Sequence, residues 1–322
     1  MTLATAVTCR LRRAGLDPAE VERAIRTALE EDLRYGPDVT SAATAPPGAR
    51  ATAEVVAREP GVLAGLPVAL AVLDAAGIPA AAGEPGAKAG GSDAGAARPG
   101  AGAGGPGAGA ACAAAEDGDR IKEGTAVLRV EAPLRELLGA ERTLLNFLTH
   151  LSGIATATRA WADALAGTGC AVRDTRKTRP GLRQLEKYAV RCGGGLNHRM
   201  GLGDAALIKD NHVAAAGGVT PAIRAVRAVA PGLPLEVECD DLDQVQEALD
   251  AGAELILLDN MGLAALRAAV GLARGYPAVR LEASGGLTLA MARAVAETGV
   301  DFVSVGALTH SSPALDLGLD LL

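Results

Sequence analysis

The sequence predicts an α/β protein whose C-terminal part is built on a parallel sheet and whose N-terminal part is a smaller α+β domain. Three features predict this fold class. From residue 170 onward, short apolar runs alternate with helical segments, each run ends in polar residues or glycine, and helix start signals such as Thr220-Pro221 and Asp241 lie between the runs. This strand–helix–strand rhythm requires parallel strands. Six or seven such units fit either a closed barrel or an open doubly wound sheet.

The N-terminal domain is predicted to cover residues 1–140. Its clearest helix is residues 17–32, because Asp17 can cap the helix, Pro18 follows in the first turn, and Val21, Ile25 and Leu29 recur every four residues.

A low-complexity segment, residues 80–115, interrupts this domain. Of its 36 residues, 30 are Ala, Gly or Pro. Such a segment buries too little apolar surface to offset the entropy of ordering it. We therefore expect a disordered insertion, with an ordered alanine helix as the alternative.

The C-terminal domain is predicted over residues 141–322, with its tail returning to the N-terminal domain. Residues 141–166 indicate a long helical segment, either one helix or two helices broken at Ser152-Gly153. The candidate strands that follow are 170–175, 205–210, 235–239, 254–259, 279–283 and 301–306.

These candidate strands end in residues that carry chemistry. The positions are Arg176, Lys177, Lys209, Glu238, Asp259, Ser284, Gly285, Gly286 and Gly306. In an α/β barrel the C-terminal strand ends and the loops after them form the active site. The pattern therefore favours a barrel with a working site at that face. No G-x-G-x-x-G follows a strand, so the signature of a dinucleotide site is missing.

The residue types at this face divide into a cationic and an acidic half. The cationic half comprises Arg176, Lys177, Arg199 and Lys209, with His198 as a further donor. Arginine grips carboxylate or phosphate with paired hydrogen bonds, and lysine acts as a mobile charge. Glu238 and Asp259, placed beside phosphates, suit Mg²⁺ or ribose hydroxyls. Backbone N–H groups at the glycines can approach phosphate oxygens.

Structural interpretations compete at several of these positions. Arg183, Lys187 and Arg191 recur every four residues, so we predict a solvated helix face for them rather than a site. Lys209 could form a Schiff base, as in barrel aldolases, although anion binding requires fewer assumptions. His150, in an apolar helix, is predicted to be structural.

The charge distribution indicates a small anionic ligand. The chain carries a net charge of −7, yet residues 174–200 hold seven Lys and Arg against two acids. An acidic protein lacks the broad basic face that nucleic acids and anionic membranes attract. The five scattered cysteines contain no C-x-x-C pair, and no run resembles a signal peptide or membrane span. We therefore expect a cytoplasmic protein.

Ten motifs occur in the order seen in the quinolinate phosphoribosyltransferase family, and the chain resembles that family over its whole length except residues 80–115. The motifs are E-D-x-x-x-G-P-D-V-T (31–40), E-R-x-x-x-N-F-L (141–148), D-T-R-K-T (174–178), E-K-Y-A-V (186–190), G-G-G-L-N-H-R (193–199), I-K-D-N-H (208–212), E-V-E (236–238), L-D-N (258–260), S-G-G (284–286) and V-G-A-L-T-H (305–310).

The resemblance implies a fold, a reaction and an assembly. The fold is an incomplete α/β barrel of about seven strands, the type II phosphoribosyltransferase barrel, with a smaller N-terminal α+β domain. The reaction joins quinolinate to phosphoribosyl pyrophosphate with Mg²⁺ and releases nicotinate mononucleotide, pyrophosphate and CO₂, a step of NAD biosynthesis. The working unit is a homodimer in which Arg142 completes the neighbouring subunit's site.

The resemblance also implies roles for individual residues. The grip on the quinolinate carboxylates falls on Arg142, Arg176, His198 and Arg199, and Lys177 and Lys209 are shared with the phosphoribosyl groups. Glu238 and Asp259 lie near the ribose and the metal. Thr175 belongs to the same substrate-binding motif. The phosphate loops are Ser284, Gly285 and Gly286, and Val305, Gly306 and Ala307.

Two rival functions follow from the same residues. One is a paralogue of this fold that acts on another substrate, such as the proteins linked to molybdate-transport operons; the complete set of cations disfavours it. The other is a Schiff-base lyase that uses Lys209. A binding protein without catalysis is disfavoured because both acids accompany the cations.

Overall fold

The computed structural model describes residues 2–80 and 110–322. They form two compact units. The first unit contains the chain up to Thr156 together with Gln184–Cys192 and Pro313–Leu322, and the second contains Ala157–Arg183 and Gly193–Ser312.

Helices and strands alternate along most of the described chain. The helices are α1 (Thr5–Arg13), α2 (Pro18–Leu33), α3 (Val39–Thr44), α4 (Leu66–Ala75), α5 (Leu134–Leu165), α6 (Arg183–Cys192), α7 (Asp210–Ala216), α8 (Val219–Val229), α9 (Leu242–Asp250), α10 (Leu263–Ala273), α11 (Ala292–Ala296) and α12 (Ala307–His310), with a 3₁₀ turn at Leu289–Met291. The strands are β1 (Arg50–Ala57), β2 (Gly61–Val62), β3 (Ala110–Ala113), β4 (Arg120–Ile121), β5 (Ala126–Pro133), β6 (Ala171–Arg173), β7 (Ala206–Ile208), β8 (Leu235–Cys239), β9 (Leu255–Asp259), β10 (Arg280–Ser284), β11 (Phe302–Ser304) and β12 (Leu317–Leu321).

The first unit is built on an antiparallel sheet in the order β12-β1-β5-β3. Strand β1 alternates buried and half-buried residues, as expected for a sheet with one face on a core. The last strand, β12, pairs with β1 in the register Val55 to Leu319. The end of the chain thus lies in the same unit as its beginning.

Helix α2 follows the pattern that its sequence predicts. The Asp17 carboxylate accepts a hydrogen bond from the Ala19 N–H at 3.0 Å, Pro18 opens the first turn, and Val21 and Ile25 are fully buried. Capping supplies a partner for an otherwise unpaired N–H, and the apolar stripe fixes the face that packs inward.

Helix α5 is continuous, so of the two alternatives left open by the sequence the single helix is correct, and there is no break at Ser152-Gly153. The Ser152 hydroxyl instead donates to the Ala64 carbonyl at 3.2 Å and accepts from the Ala64 N–H at 3.0 Å. A Cβ on Gly153 would lie 2.0 Å from the Pro313 carbonyl oxygen. Ser152 and Gly153 therefore allow α5 to pack closely against the neighbouring backbone. Helix α5 also continues across residue 140, where the N-terminal domain was predicted to end. The two compact units instead divide after Thr156.

The low-complexity segment falls mostly outside the described residues, which omit 81–109. Its C-terminal edge is ordered: Ala110–Ala113 form strand β3 and pair with β5, and Ala111 bridges Ala80. The expected disorder at 110–113 is therefore wrong, because the backbone of these small residues is held by sheet hydrogen bonds. The prediction for residues 81–109 stays a prediction.

The second unit contains a parallel sheet that, within the described chain, has six strands in the order β6-β11-β10-β9-β8-β7. Each strand lies inside one of the six predicted ranges or extends it by one residue. Strands β7 to β11 are neighbours in chain order, and β6 joins the sheet beside β11. This is the strand order of an α/β barrel that does not close between β6 and β7.

A seventh position is present beside β6 as a single bridge. The Leu196 N–H donates to the Val172 carbonyl at 2.8 Å, and the Asp174 N–H donates to the Leu196 carbonyl at 3.2 Å. Residues near Leu196 thus occupy the free edge of β6, where a further strand would lie. The incomplete barrel of about seven strands is the fold that the resemblance implies.

The predicted solvated face of α6 is wrong at Lys187, which is fully buried beside the fully buried Glu186. Arg191 is exposed, and its guanidinium donates to the Ala14 carbonyl at 3.0 Å. The helical spacing is correct, but spacing cannot distinguish water from a packed neighbour. Within the described residues, the structure contains no helix that combines the length and the apolar character needed to cross a membrane.

Candidate active site

One face of the parallel sheet carries most of the polar strand residues. Glu236 and Glu238 are two residues apart in β8, and Glu238 lies opposite Leu257, two residues before Asp259. Leu257 is in turn opposite Glu282, and Asp259 is opposite Ser284. Side chains alternate along a strand, and partners in register share a face. The register therefore assigns these carboxylates and Ser284 to one side of the sheet.

Two arginines form the cationic centre of this unit. Arg176 follows β6, Arg199 lies in the segment between β6 and β7, and both side chains are half-buried. Burial first, and then the charge of Arg176, lowers the pKa of Arg199. The Arg176 Nε is buried and has no hydrogen-bond partner among the residues that the structure describes. Two neighbouring guanidinium groups with an unused donor are arranged to receive an anion.

The segment that carries His198 and Arg199 is held by a buried aspartate. Asp174, fully buried, accepts from the His198 N–H at 2.8 Å and from the Asn197 side-chain amide at 2.5 Å. The Arg199 guanidinium donates to the Ala205 carbonyl at 3.1 Å. The D-T-R-K-T and G-G-G-L-N-H-R motifs are thus joined through Asp174, a role that the sequence did not reveal.

One acid of the acidic half, Glu238, contacts a cation directly. Lys209, immediately after β7, forms an ion pair with Glu238, whose side chain is 12% exposed. Asp259 ends β9 and accepts a hydrogen bond from the Asn260 amide at 2.6 Å. The Lys209 side chain thus has a carboxylate partner in this site.

The two predicted phosphate loops follow β10 and β11. Ser284 ends β10, and Gly285 and Gly286 both have positive φ, at 89° and 59°. A Cβ on Gly285 would lie 2.3 Å from the Asn260 side-chain oxygen, so this turn requires glycine. Val305 and Gly306 lead into α12, which begins at Ala307.

The loop after β6 is tied to the second of these loops. The Thr309 hydroxyl in α12 donates to the Lys177 carbonyl at 2.8 Å, and the Lys177 N–H donates to the Thr175 hydroxyl at 3.0 Å. Thr175, Lys177 and the Val305–Ala307 loop are therefore brought together. Arg142 is an exposed residue of α5 in the first unit.

Sequence reasoning missed a buried charged cluster beneath His198. It consists of Arg173, Glu236 and Glu282, and both glutamates are buried. Burial, and then the charge of Glu236, raises the pKa of Glu282. The available signal is a charged residue at every second position inside otherwise apolar strands, as in LEVEC and RLEAS. The predicted site includes only the charges at the strand ends.

Metal ligation has two candidate sets in this unit. Glu238 and Asp259 offer carboxylate oxygens on one face of adjacent strands, which fits a hard cation such as Mg²⁺ that keeps water and phosphate ligands. The second set is His198, Glu236 and Glu282, whose potential metal-binding atoms lie close together within residues 2–80 and 110–322.

A cavity of about 330 Å³ lies between β7, α7 and α8, and it is mostly apolar. Arg199 and His212 line it together with residues such as Leu207 and Val226. Of the predicted site residues it includes only Arg199. The charged strand ends, rather than this cavity, carry the residue types needed for anionic substrates.

Comparison with known families agrees with this geometry. Residues 38–152 match the family model described as quinolinate phosphoribosyl transferase, N-terminal domain, and residues 154–320 match the corresponding C-terminal domain.

Relatives of similar length lead to the same family. The chain is 52% identical over 298 residues to the nicotinate-nucleotide pyrophosphorylase [carboxylating] of Mycobacterium leprae, covering 92% of this chain and 95% of the relative. It is 36% identical to the chloroplastic enzyme of that name from Arabidopsis thaliana, covering 94% and 83%. The crystal structure of NadC from Streptococcus pyogenes superposes with a TM-score of 0.80 at 37% identity, covering 95% and 99%. The chain belongs to the quinolinate phosphoribosyltransferase family.

Proposed function

We propose that this protein is a nicotinate-nucleotide diphosphorylase (carboxylating), a pentosyltransferase of NAD biosynthesis. It transfers the phosphoribosyl group of phosphoribosyl pyrophosphate to quinolinate and releases pyrophosphate, CO₂ and nicotinate mononucleotide. The observation that carries the proposal is the pair of half-buried guanidinium groups of Arg176 and Arg199, one with an unused buried donor. Quinolinate is a dianion, and a preorganised pair of cations is the arrangement that binds it.

In this proposal the substrates divide between the two halves of the face. Arg176 and Arg199 hold the quinolinate carboxylates, and His198 supports Arg199 from behind, because both of its ring nitrogens are already bonded. Lys177 and Lys209 lie between that substrate and the phosphoribosyl groups. The loops at Ser284–Gly286 and Val305–Ala307 supply backbone N–H groups to phosphate oxygens. Thr175 holds the backbone of Lys177 in place by accepting a hydrogen bond from the Lys177 N–H.

The chemistry requires positioning and charge stabilisation rather than a nucleophilic side chain. The pyridine nitrogen forms a bond to the ribose anomeric carbon as the bond to pyrophosphate breaks and its electron pair leaves with pyrophosphate. Glu238 and Asp259 stabilise the positive charge that builds on the ribose. The bond to the carboxyl group next to the ring nitrogen then breaks as CO₂ departs. The cationic ring nitrogen stabilises the electron pair left on the ring carbon until it takes a proton.

We include Mg²⁺ as the cofactor, held by Glu238 and Asp259 together with substrate phosphates. When bound, it supplies positive charge that neutralises the departing pyrophosphate. Glu238 and Asp259 would hold the ion, and Lys209, which pairs with Glu238, would add a positive charge beside the substrate phosphates.

The proposal is tested by incubating the purified protein with quinolinate, phosphoribosyl pyrophosphate and Mg²⁺, with nicotinate and nicotinamide as control acceptors. We expect nicotinate mononucleotide and an equal amount of CO₂ from quinolinate alone. Product from nicotinate but not from quinolinate would overturn the proposed substrate.

We further propose that the working unit is a homodimer in which the exposed Arg142 completes the neighbouring subunit's site. Arg142→Ala and Arg176→Ala should each be nearly inactive. After subunit exchange in an equal mixture, about a quarter of the sites should be intact, because half of the dimers are mixed and each mixed dimer has one unaltered site. Failure of the mixture to regain activity would place Arg142 in its own subunit's site or outside any site.

A further inference from the structure

A buried charge cluster lies under the proposed carboxylate grip. Arg173 comes from β6, Glu236 from β8 and Glu282 from β10, and by register all three lie on the same face of the sheet. Glu282 is 0% exposed, Glu236 3% and His198 8%. Burying two carboxylates is costly unless neighbouring groups compensate their charge.

The contacts within this cluster converge on the His198 ring. The His198 Nε2 lies 2.7 Å from a Glu236 carboxylate oxygen and 3.7 Å from a Glu282 oxygen. Arg173 forms an ion pair with the other Glu282 oxygen, and its guanidinium stacks over the Phe302 ring at 4.9 Å from the ring centre. Two acids thus face one ring nitrogen, and one of them is held in place by Arg173.

The other ring nitrogen fixes the tautomer. The Arg199 backbone N–H donates to the His198 Nδ1 at 2.7 Å, so Nδ1 acts as an acceptor. The Nε2 therefore carries the hydrogen and donates it to Glu236. Through these two bonds the imidazole ring connects the Glu236 carboxylate to the backbone of Arg199.

A bound cation explains this cluster less well than an orienting network does. The space between His198 and Glu236 is taken by a hydrogen bond of 2.7 Å, and Arg173 already supplies a positive charge to Glu282. A metal ion would have to displace both interactions. The remaining function is to hold the ring and the Arg199 backbone in one orientation.

We propose that Glu236 and Glu282 are positioning residues for the quinolinate grip: Glu236 fixes the His198 ring and, through it, the Arg199 backbone, while Glu282 flanks the same ring nitrogen and anchors Arg173. This inference rests on the proposed function, because it assigns a purpose to the residues that hold quinolinate. Groups that support a ligand-binding side chain from behind act by restricting it to the productive geometry.

The test compares Michaelis constants for the two substrates in a double-mutant cycle. We expect Glu236→Ala to raise the KM for quinolinate about tenfold or more, the effect of leaving a buried donor unpaired, with the KM for phosphoribosyl pyrophosphate unchanged. Glu236→Gln, which keeps an acceptor oxygen, should restore most of the loss. Glu297→Gln, at an exposed surface ion pair with Arg293, is the matched control and should behave as wild type.

The cycle with His198→Ala separates positioning from general loss of structure. If Glu236 acts through His198, the double variant His198→Ala/Glu236→Ala should be no worse than His198→Ala alone. Additive losses, or an unchanged quinolinate KM in Glu236→Ala, would overturn the inference. Glu282→Gln should raise the same KM by a smaller factor, and an effect confined to phosphoribosyl pyrophosphate would contradict its assignment.

A measurement on the wild-type protein keeps the inference testable if a variant does not fold. The chain has four histidines, so ¹⁵N NMR can assign the His198 ring by comparison with His198→Ala. We expect the Nε2–H tautomer, and the Nδ1–H tautomer would overturn the proposal. Arg199→Ala distinguishes failure of the proposed function from failure of the positioning role. If Arg199→Ala leaves the quinolinate KM unchanged, the proposed quinolinate grip is wrong. If Arg199→Ala raises that KM while Glu236→Ala does not, only the positioning role is wrong.

Discussion

Carboxylates with restricted exposure occur in both units of this protein, but their surroundings differ. In the first unit, Asp117 accepts from the Gly65 N–H at 2.8 Å, the Leu66 N–H at 3.1 Å and the Tyr188 hydroxyl at 2.5 Å. In the second unit, one oxygen of Glu236 and one of Glu282 has no hydrogen-bond partner among the described residues. Asp117, whose carboxylate accepts several hydrogen bonds, stabilises the start of a helix. Glu236 and Glu282, which keep unpaired oxygens beside the His198 ring, belong to the surroundings of the proposed site.

The comparison predicts that changes at the charged strand ends of the second unit alter substrate binding, while changes at the packed residues Gly153 and Asp117 of the first unit alter stability. The largest effect is expected for Arg176→Ala. Removing a guanidinium that we propose to make charged hydrogen bonds to quinolinate should lower kcat/KM for quinolinate about 100-fold or more, measured as CO₂ release. The midpoint of thermal unfolding should change little. Near wild-type turnover would remove Arg176 from the proposed site.

Gly153→Ala is the strongest expected change in the first unit. The new Cβ would lie 2.0 Å from the Pro313 carbonyl oxygen, so either α5 or the tail must move. We expect a loss of about 3 kcal/mol in the free energy of unfolding, measured in urea, with the KM values of the folded fraction unchanged. Gly139→Ala is the matched control on the same helix, because its new Cβ meets open space. A wild-type midpoint for Gly153→Ala would show that the tail is not held against α5.

Asp117→Ala should cost less, about 2 kcal/mol, because it removes the shared acceptor of two backbone N–H groups and the Tyr188 hydroxyl. Burial raises the pKa of Asp117, so the folded protein binds this proton more tightly than the unfolded chain does. The contribution of Asp117 is therefore full below its ordinary pKa of 3.8 and falls as the pH rises through the raised value.

Urea unfolding at several pH values measures this dependence. The difference in unfolding free energy between the wild type and Asp117→Ala should shrink from acid to alkaline pH. Asp117→Asn keeps an acceptor without a titrating group and should weaken the trend. A difference that grows with pH would contradict the raised pKa.

The smallest effect is expected from shortening the low-complexity segment. The Ala111 N–H donates to the Pro79 carbonyl at 3.1 Å, so the two ends of the segment meet. Replacing residues 83–107 with a short Gly-Ser linker should change the unfolding free energy by about 0.5 kcal/mol or less and leave kcat/KM unaltered. A large loss of either would give the segment a role in folding or catalysis.

The sequence by itself determined the parallel sheet, the position of its strands and the residue types at their ends. These follow from local patterns, because apolar runs, Asp17 and Asp241 caps and polar strand ends act over a few residues. The family motifs added the order of the site residues along the chain.

The tertiary structure alone decided which side chains are buried and which of them meet. Lys187 has the spacing of a surface residue and is buried, and Ser152-Gly153 has the composition of a break and lies inside one helix. The contact of Asp174 with His198 spans 24 positions in the chain, and the ion pair of Arg173 with Glu282 spans 109. Burial and long-range pairing depend on what packs against a residue, and that information is not contained in its neighbours in sequence.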